Sequence, residues 1–449
     1  MEIRGKHIGI IGAVRSGVGA AKLARRFGAV PFVTDMNPAE KLTDFLKPLS
    51  ELGIAYETGG HSDRIYKSEL VIVSPGVPSN APVLKELTAK GIPFISEIEF
   101  ASWFCKGTIL AVTGTNGKTT TTSLLHHVIS QSGRVCFAAG NIGFAFSEIA
   151  ADVPEDGFVA LEVSSFQLDT ITEFRPAAAM ILNITPDHLN RYNNNFAEYI
   201  SSKHRITMNQ QQGDILILNA NDPVFSEYPV QTKARQFVFS MTEPVTDGVY
   251  LRMGKLVYVN GSKAEFTADT AQLRIKGAHN WQNAAAVIIA AKFAGIENEK
   301  LSQGLYSFEA VEHRLEPAGK IKGIEFVNDS KATNIDSVKV ALKSFSTPVI
   351  LILGGQDKGN NYDELFPLMG NVKKIYAIGS SAQKITGYFE GKIPVVYKKD
   401  LAECIAAGIE EGKEGDTVLL SPACASFDMF ENYEHRGRVF KETVKELSL

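Results

Sequence analysis

The run Ile109-Leu110-Ala111-Val112-Thr113-Gly114-Thr115-Asn116-Gly117-Lys118-Thr119-Thr120 constrains the fold of this chain more than any other stretch. A β-branched apolar segment ends in Gly-x-x-Gly-Lys-Thr and passes directly into a Thr-rich segment of helical character. Strand, glycine turn and helix in succession make the unit of a parallel α/β sheet, and the glycines let consecutive N–H groups and a helix N-terminus face one anion. Lys118 supplies a point charge for β- and γ-phosphates and Thr119 a hydroxyl for Mg²⁺. The run therefore predicts a nucleoside triphosphate site at Gly114, Thr115, Asn116, Gly117, Lys118, Thr119 and Thr120. A fuller phosphate-loop pattern has glycine where this chain has Val112, so an ordinary tight strand-to-helix turn is the competing reading.

A chain of 449 residues is long enough for two to four domains, each with its own core. Hydrophobic residues at 44% and charged residues at 21% are those of a globular protein. A net charge of −4 without a basic block argues against nucleic acid or an anionic membrane as partner. No apolar run reaches the ~18 residues of a membrane span. The start, Met1-Glu2-Ile3-Arg4-Gly5-Lys6, lacks the layout of a signal peptide, so a cytoplasmic enzyme is expected. Cys105, Cys136, Cys404 and Cys424 form no C-x-x-C pair and read as small buried thiols.

Residues 1–97 alternate apolar runs at 7–11, 31–34, 70–74 and 92–95 with amphipathic stretches, the pattern of a parallel sheet covered by helices. The first run enters Gly12-Ala13-Val14-Arg15-Ser16-Gly17-Val18-Gly19, and Asp35 ends the second. Val14 breaks the G-x-G-x-x-G spacing, which disfavours a nicotinamide dinucleotide and leaves room for a mononucleotide diphosphate; a turn needed only for close packing is the alternative. Ser74-Pro75-Gly76-Val77-Pro78 closes another strand at the same expected edge, where ligands bind in open α/β sheets.

After the phosphate loop, a helix is expected from 119 to 131. The buried run 158–165 carries Glu162, and the run 177–184 leads into Thr185-Pro186-Asp187-His188. Parallel strands end on one side, so Glu162 and His188 are expected to face the triphosphate as candidate Mg²⁺ ligands. A histidine is an unusual ligand for this hard ion, and an ordinary loop histidine is the alternative. A helix over 196–207 carries Lys203. Residues 214–276 give short β-type runs at 215–218, 236–239, 249–251 and 256–259, a small β annex. An Ala-rich helix then opens with Asn280 and Asn283 on one face, placed to read a base edge or to cap the helix.

From 310 onward, strands are expected at 324–327, 349–353, 375–378, 394–397 and 417–420. Three of them end in polar loops: Asn328-Asp329-Ser330-Lys331-Ala332-Thr333-Asn334, Gly354-Gly355-Gln356-Asp357-Lys358-Gly359, and Ser421-Pro422-Ala423-Cys424-Ala425-Ser426-Phe427-Asp428. They are expected at one sheet edge as a ligand cleft, with solvated turns as the alternative. No histidine stands in a recognisable relation to Cys424, which argues against a cysteine nucleophile. The fold class is α/β in three domains: a Rossmann-like 1–97, a phosphate-loop ATPase 98–309 with a mostly parallel sheet plus the annex, and a Rossmann-like 310–449.

The phosphate loop, Glu162-Val163-Ser164-Ser165-Phe166-Gln167, Asp187-His188-Leu189-Asn190-Arg191-Tyr192, His279-Asn280-x-x-Asn283, His313-Arg314, the Asp329–Asn334 loop and Ser421-Pro422-Ala423-Cys424-Ala425-Ser426 together resemble the Mur ligases, in order and over essentially the whole length. The last two loops point to the D-glutamate-adding members. The resemblance implies an ATP-dependent amide ligase of cytoplasmic peptidoglycan synthesis, acting as a monomer on UDP-N-acetylmuramoyl-L-alanine and D-glutamate with two Mg²⁺ ions. It implies Lys118, Glu162, His188 and Lys203 as catalytic residues, with Thr119, Glu162, His188 and Lys203, the last as a carbamate, at the metals. It also places Asn280, Asn283, His313, Arg314 and Asp329 at ATP. Ser16, Asp35, Gly76, Asn141 and His188 fall at the UDP-substrate, and Thr333, Lys358, Ser426 and Phe427 at D-glutamate. The first glycine loop, with Ala13-Val14-Arg15, departs from the family's pattern, as do Phe427 and Tyr433.

Overall fold

The computed structural model describes every residue except Met1, Lys276, Ala310, Val311, Lys358 and Leu449. The chain forms two compact units, Met1–Phe308 and Glu309–Leu449.

The first unit holds two sheets. One comprises β1 (His7–Ile11), β2 (Val30–Asp35), β3 (Ala55–Thr58), β4 (Leu70–Val73) and β5 (Phe94–Ser96) in the order β3-β2-β1-β4-β5. Every pairing in it is parallel. Central strands of such a sheet are covered on both faces, which is why β1 and β2 read as unbroken apolar runs. The helix Arg15–Arg26 follows β1 after a turn at Gly12, whose φ is 102°. Helix and turn approach so closely that a Cβ on Gly17 would stand 1.7 Å from the Gly12 carbonyl oxygen.

The other sheet comprises β6 (Thr108–Thr113), β7 (Cys136–Gly140), β8 (Phe158–Glu162), β9 (Ala178–Ile181), β10 (Ile215–Asn219), β11 (Arg235–Ser240), β12 (Gly248–Arg252), β13 (Lys255–Asn260) and β14 (Lys263–Asp269). Their order is β14-β13-β12-β11-β10-β9-β6-β8-β7, parallel from β7 to β12 and antiparallel at β13 and β14. The β-rich stretch expected as an annex is thus the far edge of this sheet. The helix Ala278–Phe293 packs against the helix Lys118–Gln131, and its run Ala284–Ala291 is buried all round, as a helix without a polar face must be.

The second unit holds β15 (Glu316–Ile321), β16 (Ile324–Asn328), β17 (Val349–Gly354), β18 (Val372–Ile378), β19 (Val395–Tyr397) and β20 (Thr417–Leu420) in the order β15-β16-β20-β17-β18-β19. Only β15 is antiparallel to its neighbour. Four strands escape a reading of apolar runs: β3, β7, β14 and β15. All four are edge strands, which pair on one side only and carry polar or glycine-rich sequences such as Lys263-Ala264-Glu265 and Glu316-Pro317-Ala318-Gly319. Among the described residues, no helix is long and apolar enough to cross a membrane.

Candidate active site

β6 delivers the phosphate loop at the C-terminal edge of the nine-stranded sheet. Gly114 and Gly117 take φ of 148° and 85°, and Gly117 is the N-cap of the helix that Lys118 begins. Side chains with a Cβ adopt such angles only with strain. The loop is clamped from β9's end: Asn116 N donates to Asn183 Oδ1 at 2.8 Å, Asn183 Nδ2 returns a bond to Asn116 O at 3.0 Å, and Thr115 N donates to Asn183 O at 2.9 Å. Asn183 was not singled out from sequence; its signal is a polar side chain ending an apolar strand beside the loop. A Cβ on Gly117 would stand 2.5 Å from Asn283 Oδ1, so the helix Ala278–Phe293 begins against the loop. Its N-cap, Gly277, has no side-chain cap, and Asn283 Nδ2 donates instead to Asn280 Oδ1 at 3.2 Å.

Two amines converge on one carbonyl. Lys118 Nζ donates to Gly114 O at 2.9 Å and to Thr115 O at 2.8 Å, while Lys203 Nζ donates to Gly114 O at 2.8 Å. Lys203 is 2% exposed, and its amine lies 4.7 Å from the centre of the Tyr199 ring. Burial, aided by the nearby charge of Lys118, holds its pKa well below the usual lysine value.

Glu162 pairs in register with Val112 on β6, one strand from the loop. It is 1% exposed; Oε1 accepts from Asn141 Nδ2 at 2.9 Å, and Oε2 has no hydrogen-bond partner. A buried carboxylate oxygen without a donor is an expensive arrangement that a hard cation would satisfy. Among the described residues, no three His, Cys, Asp or Glu side chains cluster, so an ion here would draw most of its oxygens from Thr119, a nucleotide and water. His188, at φ 53°, starts the turn Leu189–Arg191, with its ring edge-on to Phe166 at 5.2 Å and Nε2 3.6 Å from Asp187 Oδ2.

At the first sheet, Ser16, Asp35, Gly76 and Asn141 line a single cavity of about 500 Å³ together with Arg15, His61 and Pro75; His188 is not among its lining residues. Asp35 is 6% exposed and accepts from Ala13 N at 2.7 Å, Asn37 N at 2.7 Å and Asn37 Nδ2 at 2.9 Å. One wall is held from the central sheet. Arg191, stacked 3.9 Å over Phe166, donates to Pro75 O at 3.2 Å and Val77 O at 2.6 Å. Nothing in the sequence pairs Arg191 with a loop more than a hundred residues earlier.

In the second unit, the three polar loops leave the adjacent parallel strands β16, β20 and β17. They are stitched together by Ser421 Oγ donating to Asp329 Oδ2 at 2.8 Å and by paired backbone bonds between Gln356 and Ala425. Beneath them lies Arg436, 1% exposed, whose guanidinium donates to Ser330 O, Cys424 O and Ser330 Oγ at 2.8 to 3.1 Å. Asp329 is 4% exposed, and burial pushes its carboxyl up to about 7 against the opposing pull of Arg314 and Ser421. His313 is buried, with Asn328 Nδ2 2.9 Å from its Nδ1, whereas Arg314 Nε is buried without a partner. Thr333 is half-buried, Ser426 is 2% exposed and Phe427 is 69% exposed. Lys358 lies outside the described residues.

Residues 112–291 match the model of the Mur ligase middle domain, and residues 313–424 that of the Mur ligase, glutamate ligase domain. The chain is 43% identical over 450 residues to a protein of Acidobacterium capsulatum, covering 99% of this chain and 97% of that one. It is 40% identical over 453 residues to one of Koribacter versatilis, covering 100% and 99%. Both are named UDP-N-acetylmuramoylalanine–D-glutamate ligase. The crystal structure of MurF ligase from Thermotoga maritima in complex with ADP shares the fold at a TM-score of 0.60 and 14% identity, covering 99% of this chain and 96% of that one. The chain belongs to the Mur ligase family.

Proposed function

We propose that this chain joins D-glutamate to UDP-N-acetylmuramoyl-L-alanine at the expense of ATP, through an acyl phosphate, in cytoplasmic peptidoglycan precursor synthesis, acting as a single copy. The observation that carries this reading is a phosphate loop backed by two amines, in the same unit as a cavity sized for a nucleotide-sugar head, in a chain that matches ligases of that name end to end. The division into a UDP-sugar domain 1–97, an ATPase domain 98–309 and an amino-acid domain 310–449 belongs to the same proposal, and is supported by the three sheets.

A carboxylate is a poor electrophile, so amide formation at neutral pH needs a leaving group. The alanyl carboxylate oxygen attacks the γ-phosphorus of ATP and ADP departs. The D-glutamate amine then attacks the acyl carbon, and phosphate leaves from the tetrahedral intermediate. Phosphoryl transfer of this kind is positioning and charge stabilisation. Lys118 exchanges its bonds to Gly114 O and Thr115 O for the β- and γ-phosphate oxygens, while Asn280 and Asn283 face the nucleotide from the neighbouring helix. Mg²⁺, when bound, neutralises the phosphates. Glu162, Thr119 and His188 are the side chains that would hold it. Lys203, buried and deprotonated more readily than an ordinary lysine, is suited to add through its amine nitrogen to CO₂ with loss of a proton, and the resulting carbamate would supply an oxygen ligand in place of a cation. His313, Arg314 and Asp329 complete the ATP set, and Thr333, Lys358, Ser426 and Phe427 the D-glutamate set.

The test is phosphate release by the purified chain with Mg²⁺ and ATP. Turnover that requires both UDP-N-acetylmuramoyl-L-alanine and D-glutamate is expected. Turnover that persists without D-glutamate, or that another amino acid supports equally, overturns the proposal.

A further inference from the structure

A second cavity, of about 490 Å³, opens at the opposite edge of the first sheet, between the starts of β1, β2 and β3. The cavity at Gly12 and Asp35 lies where β1 and β2 end, and the two share no lining residue. Three cations reach the second one from two directions: Arg25 from the last turn of the helix Arg15–Arg26, and Arg64 and Lys67 from the stretch before β4. No Asp or Glu lines it, and among the described residues none of the three cations is ion-paired. Glu69, whose Oε1 accepts from His7 N at 3.1 Å, stands beside it and offsets one of the three charges.

A helix C-terminus favours a cation, which accounts for Arg25 but not for Arg64 and Lys67. Their stretch is pressed onto β1: Ile65 is fully buried, and a Cβ on Gly9 would stand 2.5 Å from Ile65 Cδ1 and 2.6 Å from Ser68 Oγ. The Arg64 guanidinium lies 4.2 Å from the centre of the Phe32 ring, which braces it by one face and leaves the N–H donors in its plane free. Ser68 adds a hydroxyl that bonds nothing else among the described residues. Cations held together without partners repel one another, and a phosphate carrying close to two negative charges relieves that repulsion. Guanidinium forks, an ammonium and a hydroxyl match its oxygens. A cavity of this size also has room for a body attached to the phosphate.

We infer that this cavity binds a phosphorylated small molecule, its phosphate gripped by Arg25, Arg64 and Lys67 and its organic body resting on Pro31 and Ile54. The site is separate from the phosphate loop, and it does not depend on the nucleotide-sugar reading.

Methyl NMR of the full chain with ¹³C-labelled isoleucine reads this cavity apart from the others, because Ile8 and Ile54 line it and Ile11 lines the cavity at Gly12. The probes are AMP, inorganic phosphate and adenosine. AMP is expected to shift the Ile8 and Ile54 signals saturably and at lower concentration than inorganic phosphate, and adenosine to leave them in place. Arg64→Gln and Lys67→Gln should each weaken AMP at those signals by about tenfold, while in the ligand-free spectra the other isoleucine signals keep their native positions, as a folded chain requires. Ile8 and Ile54 signals that AMP does not move, or that adenosine moves equally, overturn the inference, as does an unchanged AMP affinity in the doubly substituted chain. Equal affinity for AMP and inorganic phosphate would make free phosphate the ligand and overturn the organic one.

Discussion

The first unit contains two strand–glycine-loop–helix elements that share their local syntax and differ in charge. In one, Gly12 turns the chain and Arg15 opens an uncapped helix, its side chain exposed and lining a cavity. In the other, Gly117 caps the helix that Lys118 opens, and a second, buried lysine arrives from the helix Phe196–His204, so two amines sit on the carbonyl of Gly114. Backbone geometry alone makes an anion site of either loop. What separates them is what surrounds the loop: two lysine amines, one of them buried, and a partnerless oxygen of Glu162 around one, a single arginine and a locked Asp35 around the other. The first suits a transferring triphosphate with a metal, the second a diphosphate that is only held.

The strongest way to break this comparison is Lys118→Ala. It is expected to lower turnover by about a thousandfold, as loss of a charge at a transferring phosphoryl group does, while UDP affinity stays as it was. Equal loss of both ligands would show that the two loops are not independent. Next come the glycines. Gly17→Ala drives a Cβ to 1.7 Å from Gly12 O, a clash with backbone, whereas Gly117→Ala places one 2.5 Å from the Asn283 side chain at φ 85°. The former should cost more stability than the ~1–2 kcal/mol expected of the left-handed conformation in the latter. Melting curves, with UDP and ADP titrations alongside, should show UDP binding lost in the first variant and ADP binding lost in the second.

These two loops also mark what the sequence made legible. Both glycine turns, the central parallel strands and the convergence of three polar loops in the second unit could be read directly, because buried parallel strands are continuous apolar runs and their loops share an edge. The contacts that shape the cavities could not. Arg191 holding Pro75 and Val77, Asn183 clamping Asn116, and Arg436 under the loops of the second unit all join positions distant in the chain, and periodicity carries no information about such pairings. Four of the edge strands, β3, β7, β14 and β15, were lost for a related reason: each pairs on one side only.

Arg191→Ala sharpens the comparison from the cavity side. Removing its bonds to Pro75 O and Val77 O frees one wall, and the KM for the UDP-substrate should rise about tenfold with a smaller change in kcat, the signature of lost ground-state binding. A fall in kcat at unchanged KM would place Arg191 with the phosphate loop instead.

An effect confined to high pH concerns the seat of the first helix. Ser147 N donates to Glu97 Oε1 at 2.6 Å, and a Cβ on Gly19 of that helix would meet Ser147 Oγ at 2.6 Å. Burial raises the Glu97 carboxyl from 4.5 to about 7. Between those values the folded chain keeps a proton that the unfolded chain has released. The contribution of Glu97 is therefore full below pH 4.5 and is lost as pH rises through 7. Glu97→Gln should melt like the native chain at pH 4.5 and above it at pH 8, by up to about 3 kcal/mol in stability. A variant less stable than native at pH 8 would mean that the carboxylate form is the favoured one.

The central claim is that the phosphate loop activates a carboxylate of the ligand held in the first cavity. The direct measurement follows the oxygens. UDP-N-acetylmuramoyl-L-alanine labelled with ¹⁸O in its alanyl carboxylate is turned over with ATP and D-glutamate, and the released phosphate is analysed by mass spectrometry. An acyl phosphate formed by carboxylate attack on the γ-phosphorus predicts one ¹⁸O in every phosphate released. Unlabelled phosphate would show that ATP is hydrolysed by water, and would contradict the account.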